Sequence, residues 1–197
     1  MQRPFYDAES FDLGTTTTTF TLAGLALAKY TAGTMYYTRL DLNPGMQGPV
    51  NGYISALWSK GSGTAGSAFF GLYTTDGTKL YLLGSTADQG STASGVIRKA
   101  LTFTSSLSMP QTATMYAPVG VLYVGLLVKT DSGTNHVDVA TSSPFAVASC
   151  SVNADPTGGG MLPRAFYGAG TSLTALAATE TLSGVTASGL LMWCAID

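Results

Sequence analysis

Short apolar or alternating stretches recur along this chain, and each is bounded by residues that favour turns. They lie at residues 35–42, 52–59, 69–83, 96–104 and 121–129. Their lengths and their content of β-branched and aromatic residues are typical of strands, and no convincing long helix interrupts them. We therefore predict an all-β chain with about eight to ten short strands.

The clearest local signal is a hairpin in residues 69–89, FFGLYTTDGTKLYLLGSTADQ. Alternation places Phe69, Gly71 and Tyr73 on one side of its first strand. Asp76 and Gly77 are residues that readily adopt the positive backbone angles of a tight two-residue turn. The pattern predicts two antiparallel strands joined at that turn.

The run VLYVGLLVK, at residues 121–129, is the most continuous apolar stretch and predicts a central strand buried on both faces. Residues 190–197 resume strand character, and Trp193 is large enough to anchor this last strand. In residues 52–59, alternation places Trp58 on the same strand face as Ile54 and Ala56, so we expect it in the core. Together these strands predict a two-sheet antiparallel β-sandwich of jelly-roll type.

A length of 197 residues suits one domain. We assign residues 30–197 to the sandwich and residues 1–29 to an extended N-terminal docking arm, because no strand or helix period is sustained in the arm. Within it, residues 22–27 fit one turn of helix or an edge strand equally well. The candidate docking residues of the arm are Arg3, Pro4, Phe5, Tyr6 and Phe11.

Charge is sparse: 10% of residues are charged and the net charge is −2. There is no basic field to collect a phosphate backbone, so nucleic acid is not an expected partner. The uncharged runs are interrupted by Thr, Gly and Pro, which argues against membrane insertion, and no secretory signal is recognised. A weakly charged surface suits burial against neighbouring subunits or a larger assembly.

Residue types needed for catalysis are scarce. His136 is the single histidine, no G-x-S-x-G motif occurs, and most acidic residues lie in turns. We predict no enzyme activity, no cofactor and no dedicated metal site, with a calcium site at Asp131 and Asp138 left open. Cys150 and Cys194 are expected to be reduced, buried thiols, although a disulfide between them stays open.

Tyrosines offer a different kind of site, since exposed aromatic rings can stack on sugars. Tyr36 and Tyr37 are adjacent in a strand and must point to opposite sides. We take Tyr36, Tyr37 and Tyr167 as candidate exposed aromatic contacts.

The segment AFFGLYTTDGTKLYLLGSTADQGSTASGVIRKALTFT, together with VLYVGLLVKT, resembles a β-sandwich domain found in minor tail proteins and fibre tips of phages that infect actinobacteria. The resemblance covers residues 50–130. Its motifs are turn and core residues, so it carries no active site.

The resemblance implies a protein of the virion exterior, trimeric or otherwise symmetric, that contacts other tail or capsid proteins, with a host-surface glycan as a further candidate partner. Tail-tip or fibre attachment is favoured over capsid decoration, although the chain shows no coiled-coil or collagen-like stalk. The alternative is a stand-alone carbohydrate-binding module, and a hydrolase is the least favoured reading.

Overall fold

The computed structural model describes residues 6–7, 26–41, 49–50, 52–60, 67–90, 92–104, 115–116, 121–129, 137–142, 165–188 and 190–196. Within these ranges the chain forms two antiparallel sheets that pack face to face, which confirms the predicted all-β sandwich. The chain crosses repeatedly from one sheet to the other. The only helical segment among the described residues is a 3-10 turn at Leu182–Gly184.

The first sheet contains seven strands, and its longest strand lies near the middle. Its members are β1 (Tyr6–Asp7), β2 (Ala26–Lys29), β5 (Tyr53–Lys60), β8 (Gly95–Ala100), β12 (Val137–Ser142), β16 (Leu191–Met192) and β17 (Cys194–Ile196). A separate two-stranded ladder joins β4 (Pro49–Val50) to β10 (Met115–Tyr116).

The second sheet contains eight strands. They are β3 (Met35–Asp41), β6 (Ala68–Thr75), β7 (Lys79–Ser85), β9 (Thr102–Phe103), β11 (Val121–Val128), β13 (Ala165–Tyr167), β14 (Thr179–Thr181) and β15 (Thr186–Ala187). β11 lies between β3 and β6, and residues 122–128 are buried. The prediction of a central strand buried on both faces is confirmed.

The main core fills the space between the two sheets. Trp58 is 1% exposed, as predicted, and its ring centroid lies 6.4 Å from that of Phe70 in the opposite sheet. Its indole N–H donates a hydrogen bond to the Thr92 carbonyl at 3.4 Å. From the last strand, Cys194 and Ile196 also enter this core. The C-terminal strand is thus held by side chains from alternate positions.

A second core covers the other face of the second sheet, and the sequence pattern did not predict it. Residues 168–187, here called the strap, cross that face and cover apolar side chains of the sheet. The buried members of this second core are Met35, Tyr37, Tyr73, Leu80, Leu82, Tyr123, Leu127, Phe166, Leu182 and Val185. The second sheet is therefore buried on both of its faces.

Hydrogen bonds fix the strap to the sheet at several places. The Leu82 N–H donates to the Ala178 carbonyl at 3.0 Å, and the Leu182 N–H donates to the Thr78 carbonyl at 2.9 Å. β14 also pairs with β7. These contacts satisfy backbone groups that would otherwise lie against an apolar surface without partners.

Residues 96–104 were predicted as one strand but form two. β8 belongs to the first sheet and β9 to the second, so the chain changes sheets at Leu101. Leu101 is buried, and its N–H donates to the Gly52 carbonyl at 2.6 Å. An apolar residue at the crossing lets the alternation continue through the break, which hid the break in the sequence.

The hairpin between β6 and β7 is confirmed, but its turn differs from the prediction. The connection is the three residues 76–78, and only Gly77 has a positive φ, at 89°. The carboxylate of Asp76 organises the turn instead, because Oδ1 accepts hydrogen bonds from the N–H groups of Thr78 and Lys79, both at 2.8 Å. Its Oδ2 accepts a 2.6 Å hydrogen bond from the Tyr81 hydroxyl. Asp76 therefore supports the turn by accepting hydrogen bonds and not by adopting a positive backbone angle.

This turn predicts a dependence of stability on pH. Hydrogen bonds from the Tyr81 hydroxyl and then from the Thr78 and Lys79 N–H groups hold the pKa of Asp76 well below its ordinary value. A carboxyl with a lowered folded-state pKa stabilises the fold fully above its unfolded pKa, and the effect disappears as pH falls toward the folded value. We expect Asp76→Asn to lower the melting temperature at pH 7 and the difference from wild type to shrink toward pH 2. Thermal melts across that range test this, and a difference independent of pH would contradict it.

Candidate interaction surface

The N-terminal residues that the structure describes join the edge of the first sheet. Tyr6 lies opposite Ile196 and Asp7 opposite Ala195 in an antiparallel ladder. Among the candidate docking residues, Tyr6 is the one inside the described ranges, and Arg3, Pro4, Phe5 and Phe11 lie outside them. The docking role and the domain boundary after residue 29 stay predictions.

β2 also falls within the stretch assigned to the arm, yet it is a strand of the sandwich. Its four residues pair with β12, from Lys29 opposite Asp138 to Ala26 opposite Thr141. Residues 8–25 therefore connect two strands that both belong to the first sheet. A variant that removes the arm and its edge strand β1 but keeps β2 should end its deletion at residue 25.

The prediction that Tyr37 offers an exposed ring is wrong. Tyr37 is 1% exposed, and its ring centroid lies 5.2 Å from those of Tyr73 and Phe166. Its hydroxyl donates to Glu180 Oε2 at 3.3 Å, and burial raises the pKa of Tyr37 far above its usual value. The cause is the strap, which covers the side of β3 that alternation alone leaves open to solvent.

Tyr36 and Tyr167 lie together, each half-buried. They are cross-strand partners with ring centroids 5.9 Å apart. The Tyr36 ring also packs against the Tyr30 ring in a T-shaped arrangement, with ring centroids 4.8 Å apart and planes at 85°. An open cavity of about 390 Å³ is lined by residues 29–32, of which Tyr30 belongs to this aromatic group. The structure therefore brings two of the three candidate aromatic contacts into one place.

Two buried tyrosine hydroxyls differ in whether they have a partner, and this difference gives a test. Tyr73 donates to the Ala177 carbonyl of the strap at 2.9 Å, whereas the Tyr30 hydroxyl is buried with no hydrogen-bond partner among the residues that the structure describes. We expect Tyr73→Phe to lower the free energy of unfolding by about 1–2 kcal/mol. Tyr30→Phe is the matched control and should be neutral or slightly stabilising, because it removes a hydroxyl that gains nothing in the fold.

Denaturant unfolding of the two variants beside wild type measures both values. If Tyr30→Phe destabilised the protein as much as Tyr73→Phe, the strap hydrogen bond would not be the cause of the Tyr73 effect.

The outward face of the first sheet carries apolar side chains that the sequence analysis did not single out. Leu27 is 51% exposed and Val96 is 62% exposed, and they are the exposed large apolar residues of the described ranges. Both alternate with inward residues, Ala28 and the buried Ile97. On the same face the Arg98 guanidinium stacks 3.6 Å from the centroid of the Tyr53 ring. Alternation along β2 and β8 predicts that Leu27 and Val96 point away from the core, but only once the face that packs on the second sheet is known.

Comparison with protein-family models, with curated proteins and with solved structures finds no match to this chain. Its function must therefore be argued from its own residues.

Candidate metal ligands are not brought together in the part of the chain that the structure describes: no group of three or more His, Cys, Asp or Glu side chains occurs there. Asp138 lies in β12, opposite Lys29 and Ser59, while Asp131 and His136 fall outside the described ranges. Cys194 is buried and Cys150 is outside these ranges, so their pairing stays open. Within the described residues no helix is long and apolar enough to cross a membrane.

Proposed function

We propose that this chain is a non-enzymatic structural protein of a phage particle, an accessory β-sandwich on the particle exterior that docks through its N-terminal arm. Tail-tip or fibre attachment is favoured over capsid decoration. The resemblance of residues 50–130 to phage tail sandwiches suggests this context. Particle proteins of this kind need a folded module and a separate segment that attaches it.

The observation that carries the proposal is the way β1 joins the sandwich. β1 adds two residues to the edge of β17, whereas β17 pairs with β5 on its other side at Cys194, Ala195 and Ile196. Cys194 and Ile196 are also buried in the main core. The module therefore has its last strand secured independently of the arm, which leaves the arm available for attachment.

Surface chemistry is consistent with permanent contact to other proteins. Val96 presents apolar area near Arg98 and Tyr53 on one sheet face, and Leu27 is exposed on the same face two strands further along the sheet. Apolar positions rimmed by polar groups are typical of protein interaction sites. The same face would suit a neighbouring virion protein or a second copy.

Deleting residues 1–25 is expected to abolish incorporation into particles while the sandwich remains folded, because β2 and the main core are retained. A finer variant replaces Tyr6 and Asp7 with proline, which removes both backbone N–H donors of β1. Its matched control replaces the same two residues with alanine and keeps those donors. Particles grown with each variant are purified, and the protein is quantified in them by immunoblot.

Loss of incorporation is the expected result for the deletion and for the proline variant. The alanine variant keeps the β1 ladder and should lose incorporation only to the extent that the Tyr6 side chain contributes to docking. Normal incorporation of a folded protein lacking residues 1–25 would contradict arm docking. Circular dichroism and a thermal melt establish that each variant is folded.

A stand-alone carbohydrate-binding module is the second candidate, and the pairing of the half-buried rings of Tyr36 and Tyr167 favours it. Half-exposed rings at such a place can stack on sugar faces. This function predicts glycan binding by the isolated protein, lost in Tyr167→Ala and retained in Tyr81→Ala, a half-buried tyrosine on a different strand. Calorimetric titration with host cell-wall oligosaccharides measures it, and absence of binding to wild type would remove this candidate.

A further inference from the structure

We propose that the edge of β17 accepts the N-terminal strand of a second copy of this chain when copies meet in an assembly. The ladder would be the one formed within a single chain, with Tyr6 opposite Ile196 and Asp7 opposite Ala195. The donor would simply come from a neighbour. This inference rests on the proposed role of the arm in docking and names its partner.

The acceptor edge exists before the arm arrives. β17 is fixed on one side by three residue pairs with β5 and beneath by the buried side chains of Cys194 and Ile196. β1 stands at the end of the strand order, so its removal uncovers the backbone groups of β17 without breaking any other ladder. An uncovered strand edge is a ready template for another strand.

Among the described residues, the ladder that holds the donor strand has two residue pairs, and the connection behind the strand is long. A ladder of two residues opens far more easily than the core ladders around it. The connection to β2, residues 8–25, can extend to roughly 60 Å. A sandwich of this size has a diameter of roughly 40 Å. The arm is therefore long enough to leave its own edge and reach the same edge of a neighbour.

Exchange leaves the number of strand pairs unchanged, since each copy gives one strand and receives one. Two copies can exchange strands reciprocally in a two-fold dimer. When each copy instead gives its strand to the next one, the contact is heterologous and closes into a ring if the rotation between copies allows it. A symmetric ring, including the predicted trimer, would then have every β17 edge covered. A tether of this length holds its own strand at an effective concentration of the order of millimolar, so exchange should emerge at comparable protein concentrations or in a particle.

The test mixes two variants that can be linked only through exchange. One carries Asp7→Cys and the other Ala195→Cys, both in a background with Cys150→Ser and Cys194→Ala. Directly opposed residues in an antiparallel ladder have the Cα separation that a disulfide needs. The mixture is incubated at micromolar and at millimolar concentration, mildly oxidised, and analysed by non-reducing electrophoresis and mass spectrometry.

We expect a disulfide-linked heterodimer whose yield rises at least tenfold from the dilute to the concentrated mixture. Each variant alone should give no more than background. The double variant Asp7→Cys, Ala195→Cys reports the ladder itself and should close within one chain when dilute. Closure within one chain at every concentration, with no heterodimer in the mixture, would overturn the exchange; failure of the double variant to close would overturn the ladder.

Because this experiment uses purified protein, its failure is distinct from failure of the proposed function. Arm docking to a different virion protein would still appear as loss of incorporation in the deletion variant. Exchange without any loss of incorporation would instead show an arm that joins copies but does not attach them to particles.

Discussion

Replacing Gly125 with valine is expected to disrupt the second core and leave little folded protein at 37 °C. A Cβ at this position would lie 2.6 Å from Cε2 of Tyr73 and 3.0 Å from Cε of Met35. Gly125 pairs with Gly71 in the next strand, and the Tyr73 ring occupies the space that both glycines leave. The ring cannot withdraw freely, because its hydroxyl is hydrogen-bonded to Ala177 of the strap.

The expected size follows from overpacking. Added methylenes in a well-packed core typically cost about 1–3 kcal/mol, so Gly125→Ala should fall in that range and Gly125→Val should exceed it. Gly184→Ala is the matched control: a Cβ there has an ordinary contact of 3.6 Å with Ala169. Urea unfolding gives the three values. A stable, native-like Gly125→Val protein would show that the Tyr73 ring does not fill the space over Gly125.

The second large effect is expected for Trp58→Ala, which empties the centre of the main core. Trp58 is 1% exposed and faces Phe70 across the two sheets. Truncating a buried tryptophan typically costs about 3–5 kcal/mol, a large part of the stability of a domain this size. Thermal and urea unfolding measure the loss.

Val96→Ala is the matched control for that variant, since Val96 lies on the neighbouring strand β8 and points away from the core with 62% exposure. Its effect should stay within about 0.5 kcal/mol of wild type. Equal losses in the two variants would mean that the first sheet does not bury the face containing Trp58.

Strand positions and the central strand could be predicted from the sequence because alternation and apolar runs are local signals. Residues 35–42 and 52–59 became β3 and β5 within one residue at each end. The burial of Trp58 followed from its alternation with outward positions of the same strand. Local pattern was sufficient wherever a strand has one face in the main core.

The strap explains most of what the sequence did not disclose. Its many small residues carry no period, yet residues 168–187 cover the apolar side chains of the second core and bury Tyr37, which alternation alone leaves at an outward position. Alternation assigns residues to two faces but does not say whether a distant segment covers one of them. Gly71 and Gly125 were a usable signal, since each is a glycine inside a strand pattern, and such a glycine often marks a place where another group approaches closely.

The candidate docking site was predictable only in part. The aromatic opening of the chain and its lack of period indicated an arm, but the ladder between Tyr6 and Ile196 joins the two ends of the sequence. A two-residue pairing across the whole length of the chain has no local pattern that could announce it. Strand β2 could not be assigned from the sequence for a similar reason, because it is held by its pairing with β12, which is distant along the chain.

We propose that this chain is an exterior component of a phage particle. The most direct measurement is immunogold electron microscopy of purified particles, with antibodies raised against the folded protein and peptide mass spectrometry of the same preparation. We predict intact particles labelled on their exterior, at the tail tip in preference to the head, with the chain present in regular copy number. Particles that carry neither label nor peptides, while the protein remains abundant in the free fraction of the lysate, would contradict it.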